Sequence, residues 1–319
     1  MVIPTYNAER TIAKVIRAID YPVTAIYVVD DASQDSSVEV VRSLNDPRVV
    51  LLRNESNQGV GGATLAGYRQ AWEDGAEIVL KMDADDQMDP QRIPELIAPI
   101  IAGEASYTKG NRFLHLTQLK QMPGLRLFGN FGLSLLTKAA SGYWTIFDPT
   151  NGFTAIHRSL IPYLLEGRID KRFFFEISVL TELGLHRAVV KDVYIPARYP
   201  NASRSHLSEV KALFTFPLKL FRRFFRRLWV QYVVRDFGLV SVFSLAGSML
   251  VAAGGSYGVY HWAHSSVLNQ PTPPGTVMLS ALPVLMGFLL LLQALVFDVL
   301  NEPRLPIQRN LRGKHEAGL

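Results

Sequence analysis

The sequence predicts an α/β domain built on a mainly parallel sheet, followed by two long apolar helices. Over roughly the first two hundred residues, short β-rich runs alternate with amphipathic stretches, which is the pattern of strands and helices in such a sheet. Over about the last eighty residues, two long runs contain no Asp, Glu, Lys, Arg or His. These runs account for a charged fraction of only 19% in a chain of 319 residues.

Each predicted element follows from a local pattern. Strands are predicted for the runs MVIP, AIYVVD, RVVLL, EIVLKMD and AVVKDVYIP. Helices are predicted for the stretches ERTIAKVIRAI, SSVEVVRSL, GGATLAGYRQAWEDG and PQRIPELIAPIIAG. Because parallel sheets bind ligands at the carboxyl ends of their strands, the polar clusters that follow these runs are the candidate site.

The two uncharged runs predict a membrane hairpin. They extend over Phe237–Tyr260 and Ser265–Phe297, and at about 1.5 Å per residue either can cross a hydrocarbon core of about 30 Å. Lys and Arg flank the pair on the outside and are absent from the connection, which predicts that both ends are cytoplasmic. Two buried helices of a large soluble core are the alternative. No signal peptide is expected, because the chain enters a polar motif directly.

The segment before the hairpin predicts a basic amphipathic helix, which suits an anionic membrane surface. Its apolar residues are Phe214, Leu218, Phe221, Phe225, Leu228 and Trp229. Its arginines are Arg222, Arg223, Arg226 and Arg227. A nucleic-acid-binding arm is the alternative, and the position directly before a membrane span argues against it.

These patterns predict four parts of the chain. They are a catalytic domain over 1–208, juxtamembrane amphipathic helices over 209–235, a hairpin over 236–300 with spans at about 237–262 and 276–299, and a cytoplasmic tail over 301–319. The absence of Cys excludes a disulfide framework, iron–sulfur ligation and a thiol nucleophile. The formal charge of +5 is modest, and the position of the arginines matters more than their number.

A cluster of carboxylates closes the fourth predicted strand, in the sequence IVLKMDADDQ. Side chains alternate along a strand, so Asp83 and Asp85 can point into one site. Two close negative charges need a cation, and oxygen ligands without Cys or a nearby His suit Mg²⁺ or Mn²⁺. A solvated acidic turn that caps the helix near Pro90 is the alternative. Asp30 and Asp31 form a second acidic strand end, and the glycine-rich loop Asn57–Gly62 leads into a helix.

Seven motifs together carry a family resemblance. VIPTYNAER, VVDDASQDSS, NQGVGGATLAGYRQA, MDADDQMDP, KGNRF, DPTNGFTAIHRS and FFFEISVL occur in the order typical of family 2 glycosyltransferases of the GT-A fold. The chain most resembles the polyprenyl-phosphate glycosyltransferases, which include dolichol-phosphate mannose synthase, and in particular their membrane-anchored bacterial-type members. The segment RYPNASRSHL departs from the pattern of many relatives by one extra residue and by Ala202.

The resemblance implies roles for individual residues. The nucleotide-sugar pocket is expected to contain Pro4, Tyr6, Asn7, Asp30, Asp31, Asp83 and Glu176. The metal is expected on Asp85, Gln87 and Asp83. The expected catalytic residues are Asp85, Arg112 and Asp148. The lipid phosphate is expected to meet Arg126, Asn130, Arg198, Arg204 and Ser205.

The implied reaction is an inverting transfer of a sugar from a nucleotide-sugar donor to undecaprenyl or dolichyl phosphate. A UDP-sugar is favoured over GDP-mannose, and Mg²⁺ or Mn²⁺ is the expected cofactor. The implied setting is the cytoplasmic face of the inner membrane, with the lipid bilayer as a partner, no nucleic acid, and a homo-oligomer allowed. The alternatives are a processive polysaccharide synthase, a transferase with a non-lipid acceptor, and a non-catalytic membrane scaffold. No Q-x-x-R-W element is present, which argues against the first of these.

Overall fold

A computed structural model describes residues 1–112, 124–196 and 209–309, with the backbone alone for 124–130 and 209–214. These residues form a seven-stranded sheet flanked by helices, which confirms the predicted fold class. The strands are β1 (Val2–Thr5), β2 (Ile26–Asp30), β3 (Val49–Arg53), β4 (Ile78–Lys81), β5 (Tyr107–Asn111), β6 (Thr154–His157) and β7 (Val190–Tyr194).

The direction of one strand decides which motifs meet at the site. The sheet order is β3-β2-β1-β4-β6-β5-β7, and every pairing is parallel except those of β6 with β4 and with β5. Because β6 runs the other way, its first residue Thr154 pairs with the last residue of β4, Lys81. The segment that leads into β6 therefore lies at the edge where the parallel strands end.

The strands β5 and β6 were not predicted. The strand β5 has the sequence YTKGN, in which a buried lysine, a glycine and an asparagine hide the apolar pattern. The strand β6 has the sequence TAIH, in which only the two central residues are apolar. Both are held by their neighbours in the sheet, and a pattern within one segment does not contain that information.

Helices cover both faces of the sheet. They are α1 (Ile12–Arg17), α2 (Ser37–Ser43), α3 (Val60–Glu73), α4 (Ile93–Ile101), α5 (Gly124–Ser141), α6 (Ile161–Glu166) and α7 (Phe175–Leu185). The four helices predicted to follow β1, β2, β3 and β4 along the chain are confirmed. Alternate strand residues enter opposite cores, as the pleat requires. Val2 packs in the core with α3, α6 and α7, whereas Ile3 packs in the core with α1 and α4.

The remaining helices are α8 (Glu209–Trp229), α9 (Leu239–Val267) and α10 (Pro274–Leu300), with a π-helical turn over Val230–Arg235. The chain divides into one unit that runs from Met1 to Phe224 and resumes at Pro303, and a second unit over Phe225–Glu302. Among the described residues, α9 and α10 are the two helices long and apolar enough to cross a membrane, with mean hydropathies of 1.6 and 2.3. These two helices indicate membrane association.

Small residues bring α9 and α10 together in the second unit. A Cβ added to Gly247 would lie 2.8 Å from the carbonyl oxygen of Gly287, and a Cβ added to Gly287 would lie 2.7 Å from the carbonyl oxygen of Gly247. Further along, Ser280 Oγ donates a 2.9 Å hydrogen bond to the carbonyl oxygen of Gly254. Close backbone approach through small residues is the usual way in which apolar helices associate in lipid.

A buried ion pair lies in the same unit. The guanidinium of Arg227 donates to both carboxylate oxygens of Asp298 on α10, at 2.7 and 2.9 Å. Tyr232 Oη donates to the same carboxylate. Arg227 is among the largest fully buried side chains of the described residues. It was predicted to belong to a basic cluster on the helix surface, and its position corrects that prediction.

The tail beyond the hairpin returns to the first unit. Gln308 Oε1 accepts a 2.6 Å hydrogen bond from Ser106 Oγ, and Gln308 Nε2 donates to the carbonyl oxygen of Ala105 at 2.7 Å. Ile307 packs against the apolar core that contains Tyr107. These residues precede or begin β5, so the tail lies at the edge of the sheet opposite the strand ends that carry the candidate site.

The ion pair yields a stability prediction. Asp298→Ala would leave a buried guanidinium without its bidentate partner, and we expect a loss of about 3–5 kcal/mol in the free energy of unfolding. The measurement is thermal or denaturant unfolding in detergent micelles. The double variant Arg227→Met with Asp298→Leu is the control, because it removes both charges, and we expect it to recover most of the loss. Unchanged unfolding of the single variant would contradict the burial of the pair.

Candidate functional site

The acidic end of β2 holds two carboxylates with different tasks. Both Asp30 and Asp31 are buried. Asp31 accepts hydrogen bonds from Asn54 Nδ2 at 2.7 Å and from the backbone N–H groups of Gln58 and Gly59 at 2.9 and 2.7 Å. Asp30 Oδ1 accepts from the Ser33 N–H at 3.3 Å, and its buried Oδ2 lies 3.6 Å from Arg53 Nε. Asp31 therefore holds a loop, whereas Asp30 pairs with the arginine that ends β3.

The residues after β1 lie beside this acidic strand end. Asn7 joins the two loops, because its N–H donates to Ser33 Oγ at 3.0 Å and its Oδ1 accepts from the Gln34 N–H at 2.8 Å. Tyr6 is 48% exposed, an aromatic ring left open at a strand end. Pro4 is buried inside β1, where it pairs in register with Val29. The surface open to a ligand here thus comes from Tyr6 and Asn7.

A buried lysine joins two predicted site residues. Lys81 is the last residue of β4, and its Nζ lies 2.6 Å from Asp83 Oδ1 and 3.0 Å from Glu176 Oε1. The two carboxylates raise the pKa of Lys81 above its ordinary value, although burial alone would lower it. Glu176 lies in the first turn of α7, so this one ammonium group ties a helix to the end of a strand.

The segment that leads into β6 passes close to this lysine at Gly152. A Cβ there would lie 2.5 Å from Asp83 Oδ2 and 2.6 Å from Lys81 Nζ, so a larger residue would displace the ends of these side chains. The carbonyl oxygen of Gly152 also accepts a hydrogen bond from Lys81 Nζ at 3.3 Å. The glycine of the DPTNGF motif is thus explained by contact with the acidic cluster.

The predicted metal ligands fit a cation that is held by few protein groups. Asp85 is exposed to solvent overall. Partial desolvation by the surrounding protein atoms is the largest cause that raises the pKa of its carboxyl group, and the negative charge of Asp83 is the second. The backbone N–H of Gln87 donates to Asp85 Oδ1 at 3.1 Å. The described residues contain no cluster of three or more acidic or histidine side chains that could enclose a metal. Oxygen ligands completed by a phosphate-bearing substrate suit Mg²⁺ or Mn²⁺.

Arg112 and Asp148 form a bidentate ion pair at the end of β5. Arg112 Nε donates to Asp148 Oδ2 at 2.7 Å, and a terminal nitrogen donates to Oδ1 at 3.0 Å. Asp148 is fully buried, whereas the Arg112 side chain is 31% exposed. The carboxylate therefore fixes the guanidinium at the rim of the site. The two residues were predicted separately, and their pairing is new information.

The glycine-rich loop links the site to α8. Gly59 has a φ of +84°, and a Cβ there would lie 2.5 Å from the carbonyl oxygen of Lys171. That oxygen accepts from the Gly61 N–H at 2.9 Å. The preceding residue, Asp170, binds Arg223 of α8 at 2.9 Å and also Lys219. Arg223 is thus paired with Asp170 inside the first unit, which corrects the prediction that it belongs to a basic cluster on the helix surface.

Two charged residues of the site were not predicted, the buried Lys109 and the half-buried Asp192. Lys109 of β5 donates to the carbonyl oxygen of Asn151, and burial lowers its pKa to about 8. Asp192 of β7 accepts from Asn111 Nδ2 at 2.7 Å and from the Phe147 N–H at 2.9 Å. Burial raises the pKa of Asp192 to about 6. In the sequence, Lys109 and Asp192 could be noticed only as charged residues within the short segments YTKGN and VKDVY.

The predicted acceptor residues cannot be placed in the same detail. Arg126 and Asn130 lie on α5, of which residues 124–130 are described by their backbone alone. Arg198, Arg204 and Ser205 lie outside the described residues. All five remain predictions.

The raised pKa of Asp192 predicts a pH-dependent effect of Asp192→Asn. A folded-state pKa of about 6, above the ordinary 3.8, contributes stability that is present below about pH 4 and lost as the pH rises through about 6. Relative to the wild type, the variant should therefore gain stability above pH 6, by up to about 2 kcal/mol. Unfolding followed between pH 5 and pH 8 is the measurement.

Asp46→Asn is the control of opposite sign. Hydrogen bonds from the Arg48 side chain hold the pKa of Asp46 below its ordinary value, so ionisation there stabilises the fold at neutral pH. Its replacement should lower stability at pH 7. A wild type and an Asp192→Asn variant with parallel stability curves would contradict the buried charge.

Comparison with known proteins identifies the fold and the family. The chain is 33% identical over 61% of its length to the UDP-N-acetylglucosamine–dolichyl-phosphate N-acetylglucosaminyltransferase of Methanococcus voltae, of which it covers 85%. It is 29% identical over 56% of its length to the undecaprenyl-phosphate mannosyltransferase of Micrococcus luteus, of which it covers 74%.

A solved structure with a similar fold is glucosyl-3-phosphoglycerate synthase of Mycobacterium tuberculosis in complex with Mn²⁺, uridine diphosphate and phosphoglyceric acid. The TM-score is 0.52 at 18% identity, over 71% of this chain and 76% of that one. The profile of the family described as glycosyl transferase family 2 matches residues 1–164, the part that contains β1 to β6 and the paired charges at the strand ends. The chain belongs to glycosyltransferase family 2 and is a glycosyltransferase.

Proposed function

We propose that the protein transfers a sugar from a nucleotide-sugar donor to the phosphate of a polyprenyl phosphate in the membrane. The observation that supports a lipid acceptor is that one chain contains both a family 2 unit and the apolar helices Leu239–Val267 and Pro274–Leu300. An acceptor that resides in the bilayer gives such an anchor a purpose. Relatives named for dolichyl and undecaprenyl phosphate acceptors support the same assignment.

The donor pocket is proposed at the ends of β1 and β2. The exposed ring of Tyr6 offers a surface on which a base can stack. Asp30, whose Oδ2 lies 3.6 Å from Arg53 Nε at the same strand ends, would accept a hydrogen bond from the base or ribose. We favour a UDP-sugar, in line with the UDP-N-acetylglucosamine named for the Methanococcus voltae relative.

The diphosphate is proposed to lie near Asp85. This carboxylate and Gln87 would hold Mg²⁺ or Mn²⁺, with Asp83 nearby but already bound to Lys81. When bound there, the cation would neutralise the charge that develops on the leaving diphosphate. Arg112 adds a second positive group, and its bidentate hold on Asp148 keeps the guanidinium oriented before the donor arrives.

The acceptor needs no strong general base. The second pKa of a phosphate monoester is about 6, so its oxygen is already largely ionised at neutral pH. Asp148 has no exposed surface, and both its oxygens accept hydrogen bonds from Arg112. We therefore assign Asp148 a positioning role through Arg112, in place of the catalytic role that the family resemblance implied. Inversion follows from a single displacement at the anomeric carbon.

The proposed setting is the cytoplasmic face of the cytoplasmic membrane. The chain that precedes the hairpin and the chain that follows it are both basic, which favours the cytoplasmic side for both. In the first unit, α8 packs through Phe216 and Leu220 against Phe174 and leaves Leu218 and Phe221 exposed. Exposed apolar and aromatic side chains of this kind suit the membrane surface.

The direct test is product formation. Purified protein with Mg²⁺ or Mn²⁺, a panel of UDP- and GDP-sugars, and undecaprenyl or dolichyl phosphate should yield a chloroform-soluble sugar lipid, identified by mass spectrometry. Sugar transfer to a water-soluble acceptor alone, or to a growing polymer, would contradict the proposal.

The role of Arg112 is tested in the same assay. Arg112→Lys keeps the charge but loses the bidentate fork, and we expect kcat to fall by about 10²–10³-fold. Arg69→Lys, an exposed arginine on α3, is the matched control and should behave as the wild type. Equal activity of the two variants would remove Arg112 from the reaction.

A further inference from the structure

The carboxylate of Asp192 connects two segments that meet at the site. Its Oδ2 atom accepts hydrogen bonds from Asn111 Nδ2 at 2.7 Å and from the Phe147 N–H at 2.9 Å. Asn111 is the buried last residue of β5, and Phe147 lies in the segment between α5 and β6. One oxygen atom therefore joins a strand end to a connecting segment that is 36 residues away in sequence.

Both donors are next to the residues of the ion pair. Asn111 precedes Arg112, and Phe147 precedes Asp148. The Arg112 guanidinium donates to the Asp148 carboxylate at 2.7 and 3.0 Å. The backbone N–H of Arg112 also donates to Asp148 Oδ2, at 3.3 Å. Asp192 thus binds the residue that precedes each member of the pair, through the side chain of Asn111 and the backbone of Phe147.

We propose that Asp192 is a positioning residue for the reaction, which holds Arg112 and Asp148 in register so that the guanidinium meets the donor diphosphate in a fixed place. The proposal rests on the role of Arg112 in the proposed function. It gives a role to an acceptor oxygen of β7 that lies beside the site, outside the seven motifs and beyond the matched residues 1–164.

The position is a costly one for a charge. Asp192 Oδ1 has no hydrogen-bond partner among the described residues, and burial raises the pKa of the carboxyl group to about 6. Of the charged groups that act on it, Lys109 on the paired strand β5 favours ionisation and Asp148 opposes it. Stability at neutral pH alone would favour a neutral side chain here.

The first test compares two substitutions at this position. Asp192→Ala removes the shared acceptor, and we expect kcat for sugar-lipid formation to fall by about 10–100-fold with little change in the donor KM. Asp192→Asn keeps an oxygen that can accept both N–H groups, and should retain kcat to within about three-fold of the wild type. Wild-type kcat in the alanine variant would overturn the proposal, and so would equal losses in the two variants.

The second test asks whether Asp192 acts through the ion pair. In an Arg112→Lys background, Asp192→Ala should add less than about a three-fold further loss, because the group that it positions has already been altered. A further loss as large as in the wild-type background would mean that Asp192 acts elsewhere, and would overturn the proposal. A folding defect alone would not produce this dependence on Arg112.

The third test does not use activity. Amide hydrogen exchange of peptides that contain Phe147 and Asp148 should be faster in Asp192→Ala than in the wild type. Lys191→Ala is the matched control, because this neighbour on β7 is exposed and pairs only with exposed Glu104 in the described part of the chain. Unchanged exchange at Phe147 would overturn the proposal. Failure of the wild type with every donor would instead count against the proposed function, and the exchange result would still decide the role of Asp192.

Discussion

The arrangement of the site depends on one buried ammonium group, that of Lys81. It lies between Asp83 and Glu176, and it is completely removed from water. An isolated buried charge costs several kcal/mol, so both carboxylates are needed where they are. Through this contact β4 is fixed to the first turn of α7, and a Cβ at Gly152, just before β6, would contact both Lys81 and Asp83. The antiparallel direction of β6 then delivers Asp148 to Arg112.

Much of the fold follows from local patterns in the sequence. The first four strands, the helices between them and the apolar hairpin are all visible as runs with the right period and length. The strands β5 and β6 are not, because Lys109 and Asn111 interrupt β5 and only two adjacent residues of β6, Ala155 and Ile156, are apolar. Their formation depends on partners elsewhere in the sheet, and no period within a short segment reports a distant partner.

The sequence predicted which residues belong to the candidate site, but it did not predict the contacts between them. The acidic strand ends and Arg112 were recognised by motif, but the sequence left Asp30 and Asp31 interchangeable. The hydrogen bonds of Asp31 to the 54–59 loop separate the two. The pairing of Arg112 with Asp148 spans 36 residues and needs the direction of β6. Likewise, Arg223 and Arg227 count as surface charges in the sequence, and their acidic partners are distant in the chain.

The charges at the strand ends suggest how the donor and the cation bind. Because Lys81 pairs with Asp83, Asp85 would be the main protein ligand of the proposed cation, which would then need the donor diphosphate to complete its shell. The measurement that tests this most directly is Mn²⁺ affinity by electron paramagnetic resonance, with and without uridine diphosphate. We expect weak binding of Mn²⁺ alone and at least about ten-fold tighter binding with the nucleotide, a coupling of about 1.4 kcal/mol. Tight Mn²⁺ binding without nucleotide, unchanged when the nucleotide is added, would contradict it.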